Sequence, residues 1–247
     1  MTPVAVEMRT DNSVAVLTVD GDLDAAHETP LRERILKAAL DDPAAVIVNV
    51  SGLTVHTESA WSAFMGAYWQ LGSDPHIPIV LVCTDRAARE AITRSGVTHF
   101  MPLYSSEKAA FKALGQNNRR PVRRADVQLP ADLTSLRESR RLVREWLTSW
   151  SQSKLIPVAL VVVNVFVENV LEHTASVPAV RLEAQRDAAT IAVSDASATP
   201  PVRLPSPKKG IDVSGLAIVD ALSRAWGSTP TPSGKTVWAV IGPENQL

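Results

Sequence analysis

The apolar pattern of this 247-residue chain breaks most sharply at one place, and the break limits how many cores it can build. Gln116-Asn117-Asn118-Arg119-Arg120-Pro121-Val122-Arg123-Arg124 is polar, basic and interrupted by proline, the composition of a connector rather than of a packed element. A chain of this length suits one large domain or two ordinary ones. The break argues for two: residues 1–115, a linker over 116–125, and residues 126–247. An apolar content of 45% is enough for a core in each. The four arginines of the break could meet an anionic surface. No aromatic side chain alternates with them to stack on bases, so a solvated connector is the plainer reading.

A net charge of −1 gives no global attraction to nucleic acid or anionic membrane. The single cysteine, Cys83, ends the apolar run Ile79-Val80-Leu81-Val82-Cys83 and reads as a buried strand residue in a reducing cytosol. Met1 to Asp11 has neither the basic nor the apolar region of a signal peptide. The longest apolar run, Ile156 to Val163, is interrupted by Pro157 and followed by Asn164, too short to span a bilayer. A cytoplasmic protein that touches neither membrane nor nucleic acid is expected.

In the N-terminal half, β-branched runs alternate with helical spacing. Val14 to Val19, Val46 to Val50, Ile77 to Cys83 and Phe100 to Leu103 read as strands. Leu31, Ile35, Leu36, Ala39 and Leu40 recur on one helical face. Ser59 to Leu71, Arg86 to Arg94 and Glu107 to Leu114 read as further helices. Gly21 to Asp24 reads as a capping turn, and Gly96 as a helix C′ residue. This alternation predicts an α/β layer fold. The C-terminal half predicts helices over Leu136 to Trp150, Val158 to His173 and Gly215 to Trp226. Strands are predicted over Ala179 to Ala184, Ala189 to Ser194 and Lys235 to Ile241, with a proline-rich loop from Ala196 to Pro207. Helices on one face of a mixed sheet, an α+β arrangement, are expected.

Gly21-Asp22-Leu23-Asp24, then Val46-Ile47-Val48-Asn49-Val50-Ser51-Gly52-Leu53, then Ser95-Gly96-Val97 resemble the STAS domain of anti-sigma-factor antagonists, over roughly Val4 to Leu114. The resemblance implies an α/β fold with a mixed sheet. It also implies a phosphate-accepting serine at a helix start, within Asp-Ser-Ser/Thr-Gly. Here that segment reads Thr57-Glu58-Ser59-Ala60, with Glu58 at the acceptor position. Two readings stand. Glu58, with less charge than a phosphate's −1.5 to −2, holds a phosphorylated-like state; or it is an ordinary first-turn glutamate favoured by the helix dipole. Ser59 and Thr57 are alternative acceptors that do not match the acceptor position.

The second half carries Phe166-Val167-Glu168-Asn169-Val170-Leu171-Glu172-His173, then Ile191 to Asp195, Ser214 to Leu222, Trp226-Gly227 and Gly234-Lys235-Thr236-Val237-Trp238. This order is similar to the ATP-binding domain of anti-sigma-factor serine kinases, a branch of the GHKL, or histidine-kinase-like, ATPases. The resemblance implies an α+β two-layer sandwich that binds ATP with Mg²⁺. It makes Asn169 a magnesium ligand and Asp195 the acceptor for the adenine amino group. Gly215 and Leu216 match the end of a Gly-x-Gly-Leu phosphate loop whose first glycine is Val213 here. Lys208, Lys209 and Gly210 are either a phosphate cover or a solvated lid. Lys235 and Thr236 fall near the base, and His173 has a structural role.

The resemblance also implies a glutamate four residues before Asn169. Val165 stands there, and valine can neither accept a proton nor orient a hydroxyl. Glu168 points elsewhere on the helix. No catalytic residue is therefore assigned. The reading is a partner-switching regulator of sigma-factor activity that docks to a sigma factor, an anti-sigma kinase or a STAS-domain protein, with a degenerate ATP-binding domain. A homodimer is compatible with it. The alternatives are an active serine kinase and a nucleotide-free scaffold.

Overall fold

The computed structural model describes residues 2–55, 58–71, 77–115, 122–185, 187–199 and 215–245. They fall into two compact units, Met1–Asn118 and Arg119–Leu247.

In the first unit, β1 (Ala5–Asp11), β2 (Val14–Leu23), β3 (Ala45–Val55), β4 (Ile79–Val82) and β5 (Leu103–Tyr104) form one sheet in that spatial order. β1 runs antiparallel to β2, and the other neighbours are parallel. The sheet is mixed. Residues 45–48 and all of β4 are buried, as expected for parallel strands covered on both faces. The helices are α1 (Ala25–Ala38), α2 (Ser62–Leu71), α3 (Arg86–Arg94) and α4 (Glu107–Gly115). α4 lays Ala110, Phe111 and Leu114 against Val14, Val16, Ile47, Val80 and Val82. The two-residue period turns Leu17, Val46, Val48 and Leu81, all buried, to the opposite face.

Local chemistry fixes the helix ends. The Asp24 carboxylate accepts hydrogen bonds from the backbone N–H groups of Ala26 and His27 and starts α1. β2 continues to Leu23, so the expected turn over Gly21 to Asp24 reduces to this one cap. Asp85 caps α3 through the Ala88 N–H at 2.7 Å, and Gly96 follows its C-terminus with φ of 80°, as the sequence predicted. Phe100 to Leu103 is not a strand from its start. Phe100 and Met101 donate to the Val97 carbonyl in a 3-10 turn, and the strand begins only at Leu103. β1 carries no periodic signal because it is an exposed outer strand with no buried residue.

In the second unit, β6 (Arg123–Gln128), β7 (Ala179–Gln185), β8 (Ala188–Asp195), β9 (Ala225–Thr231) and β10 (Gly234–Ile241) form a sheet ordered β6-β7-β8-β10-β9. Every neighbouring pair is antiparallel, which corrects the expected mixed sheet. The short connections from β7 to β8 and from β9 to β10 are hairpins, and a hairpin joins antiparallel strands only. Two further boundaries move. Arg123 and Arg124, expected in the connector, open β6 and pair with Ala184 and Glu183. The helix expected to reach Trp226 stops at Leu222, and Trp226 lies in β9 opposite Ala239.

α5 (Thr134–Ser149), α6 (Ile156–His173) and α7 (Gly215–Leu222) supply the helical side of the core. Val143 and Leu147, then Val162, Phe166 and Val170, then Leu216 and Val219 share one buried cluster with Leu182, Ile191, Val193, Val237 and Ala239 of the sheet. The helical segment containing α6 runs from Ser153 to His173, 21 residues with mean hydropathy 1.9, long and apolar enough to cross a membrane by length and composition. The uninterrupted run Ile156 to Val163 understated it. Half of its most apolar window is buried inside the protein, and a helix apolar on most sides is also the signature of a core helix.

Candidate functional site

β8 ends at Asp195, and antiparallel pairing sets Lys235 of β10 directly opposite. Both share the parity of Ile191, Val193, Val237 and Ala239, so they lie at the end of the helix-covered face. Lys235 Nζ donates to Asp195 Oδ1 at 2.8 Å and to the Ser197 carbonyl at 3.2 Å. The Ser197 N–H donates to the same Oδ1 at 2.7 Å. The two side chains are 9% and 1% exposed. Gly234 makes the approach possible. Its φ is 153°, and a Cβ there would sit 2.0 Å from the Asp195 carbonyl oxygen. Behind the pair, Ser194 and Thr236 exchange a hydroxyl hydrogen bond at 2.8 Å on the opposite parity.

Gly215 opens α7, and a Cβ on it would come within 2.7 Å of Val165 Cγ1. Val165 is 6% exposed and belongs to the core cluster. The position where the resemblance implies a glutamate is thus filled by a packed aliphatic group. Asn169 lies one turn further along the same face of α6. It is half-buried, and its amide makes no hydrogen bond to a described residue. Leu216 is 4% exposed and is a core residue. Glu168 faces solvent. His173 is also exposed, 4.0 Å from the Glu172 carboxylate. Among the described residues, no cluster of His, Cys, Asp and Glu is arranged to hold a metal ion. Lys208, Lys209, Gly210 and Val213 lie outside the described residues.

In the first unit, Glu58–Trp61 forms a 3-10 turn that leads into α2. Thr57 and the side chains of Glu58 and Ser59 lie outside the described residues. Ala60 is fully buried. Upstream, the middle of β3 is held by a polar chain. Asn49 donates to Glu107 at 3.0 Å and accepts from the Ser51 hydroxyl at 2.7 Å; the Ser51 hydroxyl accepts from the Thr84 N–H at 3.1 Å. Arg9 donates to the same Glu107 carboxylate. Cys83 is fully buried, and burial raises its thiol pKa, so it stays protonated and unreactive.

Sequence reasoning missed the pairing of Lys235 with Asp195. The two charges are visible, but their contact depends on the register between β8 and β10, which neither strand specifies alone.

Comparison with known families decides the first unit. Residues 5–110 match the STAS domain. This domain takes in the whole β1–β5 sheet and the first turn of α4. Comparison with curated proteins finds no match. Solved structures similar to the chain include an anti-sigma factor antagonist from Mycobacterium paratuberculosis, 21% identical, covering 46% of this chain and 95% of that one with a TM-score of 0.41. The anti-sigma factor antagonist SpoIIAA in its unphosphorylated form is 19% identical over 45% of this chain and 97% of its own, with a TM-score of 0.37. An anti-sigma-factor antagonist (STAS) domain protein from Planctomyces limnophilus is 14% identical over 44% and 96%, with a TM-score of 0.39.

Proposed function

We propose that this chain is a cytoplasmic partner-switching regulator of sigma-factor activity. Its STAS domain docks to a protein partner, and its C-terminal unit is a degenerate ATP-binding domain of the anti-sigma-factor serine kinase type. The STAS match over residues 5–110 carries the proposal. A sigma factor, an anti-sigma kinase or another STAS-domain protein is the partner class. In this reading Glu58 supplies a fixed negative charge at the turn entering α2, where the resembling antagonists place a reversible phosphate.

The C-terminal residues fit Mg·ATP only in part. Asn169 offers an amide oxygen, a suitable ligand for a hard cation, and Gly215 opens α7, a helix start of the kind that suits an anion. Asp195 is already engaged: its Oδ1 accepts from Lys235 and Ser197, so an adenine amino group would have to share the carboxylate with the ammonium. Val165 supplies no base and packs on Gly215. These two features support weak nucleotide binding without phosphotransfer, and no phosphoryl step is derived.

The test is to incubate the full chain with Mg·ATP and a purified STAS-domain antagonist. No phosphate transfer is expected, since a positioned base contributes about 10²–10⁴-fold. Robust transfer to a serine would establish a kinase instead. In parallel, millimolar Mg·ATP should raise the melting temperature through linkage, and Asn169→Ala should remove the rise. Absence of any rise would leave the nucleotide-free scaffold.

A further inference from the structure

The STAS domain is acidic overall: residues 1–118 hold 9 Lys and Arg against 14 Asp and Glu. Three of those nine sit on the nine-residue helix α3. Arg86, Glu90 and Arg94 follow one another at four-residue intervals, with Arg89 beside them on the same face. This face lines an open groove of about 690 Å³, with Thr98 and Leu103 completing it. Leu103 belongs to β5, the two-residue strand at the edge of the sheet opposite β1.

The three arginines are differently held. Arg89 is fixed, donating to the carbonyls of Cys83 at 3.0 Å and Thr84 at 2.7 Å. Arg86 meets Glu90 at 3.2 Å, with the two side chains 87% and 58% exposed. A pair so exposed is worth under about 1 kcal/mol, so a competing carboxylate displaces it at little cost. Arg94 is exposed and has no carboxylate partner among the described residues.

We infer that the groove between α3 and β5 is a docking site for an extended acidic segment of a partner protein. The outer strand offers backbone groups for β-addition, Leu103 gives an apolar contact, and the arginines on α3 meet carboxylates. Nucleic acid fits less well. Among the described residues, no aromatic ring lines the groove to stack on bases, and Glu90 repels a phosphate backbone. This surface lies apart from the Glu58 turn in sequence and does not depend on any reading of the C-terminal unit.

The experiment uses the full chain and a short fluorescein-labelled peptide of alternating Glu and Val, followed by anisotropy at low salt. Expected is saturable binding that weakens as salt rises and falls at least about tenfold in the Arg86→Glu/Arg94→Glu variant, a change of about 1.4 kcal/mol. Both side chains are exposed, so the variant should keep the wild-type circular dichroism and melting temperature. Arg89 is left intact because it holds the end of β4. Oligothymidine of matched charge is the control. No peptide binding, binding unchanged by the double reversal, or oligothymidine binding as tight as the peptide's and lost with it would each overturn the proposal.

Discussion

In the STAS domain, Arg9 with Glu107 and Arg86 with Glu90 lie at the surface, the arginines 50% and 87% exposed. The C-terminal unit places two pairs inside: Lys235 with Asp195, and Arg124 with Glu183, whose side chains are 17% and 5% exposed at 2.8 Å. The difference follows from the sheets. Parallel strands in the STAS domain are specified by continuous apolar runs buried on both faces. In the antiparallel C-terminal sheet, both buried pairs join residues directly opposite in register. A one-residue slip would strand four charges away from their partners.

The largest effect expected from this contrast is at Asp195. Removing one partner of a buried pair costs about 3–5 kcal/mol because the other charge stays buried. Asp195→Ala should therefore lower stability by that amount in urea unfolding. Arg9→Ala, at an exposed pair, should cost under about 1 kcal/mol. Equal costs would erase the contrast.

A smaller effect distinguishes how helices begin. α3 relies on the Asp85 cap, whereas α6 has no side-chain cap and is held by burial. Asp85→Ala should cost about 1 kcal/mol and Asp85→Asn much less, both read from the urea midpoint. A negligible cost for Asp85→Ala would mean that packing holds α3 as it holds α6.

The smallest effect is a pH dependence at the surface of the C-terminal unit. Arg224 holds the Glu244 carboxyl down at about 2, chiefly by hydrogen bonding. A depressed carboxylate stabilises the fold above its ordinary value near 4.5, and that contribution is lost as pH falls through about 2. Glu244→Gln should flatten the acid limb of the stability curve slightly, by less than the Asp85 cap is worth. The limiting factor is exposure, with Glu244 54% accessible to solvent screening. An unchanged limb would show that the pair contributes nothing.

Much of the fold was legible where one periodicity dominated. Val14 to Val19 and Ile77 to Cys83 read as strands because they are apolar runs, and the end of α3 was marked by Gly96, whose backbone role as a C′ residue is specific. β1, β6 and β9 were not legible. Their pairing partners, not their own residues, make them strands, and β9 contains Gly227 and Pro230, which usually argue against one. The site was legible as residue types and not as contacts. Asp195 and Gly215 stood out by motif, but only the structure sets a lysine on the first and a valine on the second.

The proposed function rests on docking through the STAS domain, with Glu58 holding one binding state. The most direct measurement is calorimetric titration of the full chain, wild type beside Glu58→Ser, into a purified anti-sigma-factor serine kinase. A complex is expected in both cases, about tenfold tighter for Glu58→Ser, a difference of about 1.4 kcal/mol from removing a fixed charge at the docking turn. Equal affinities would reduce Glu58 to a helix-start glutamate, and no complex with either protein would contradict the claim itself.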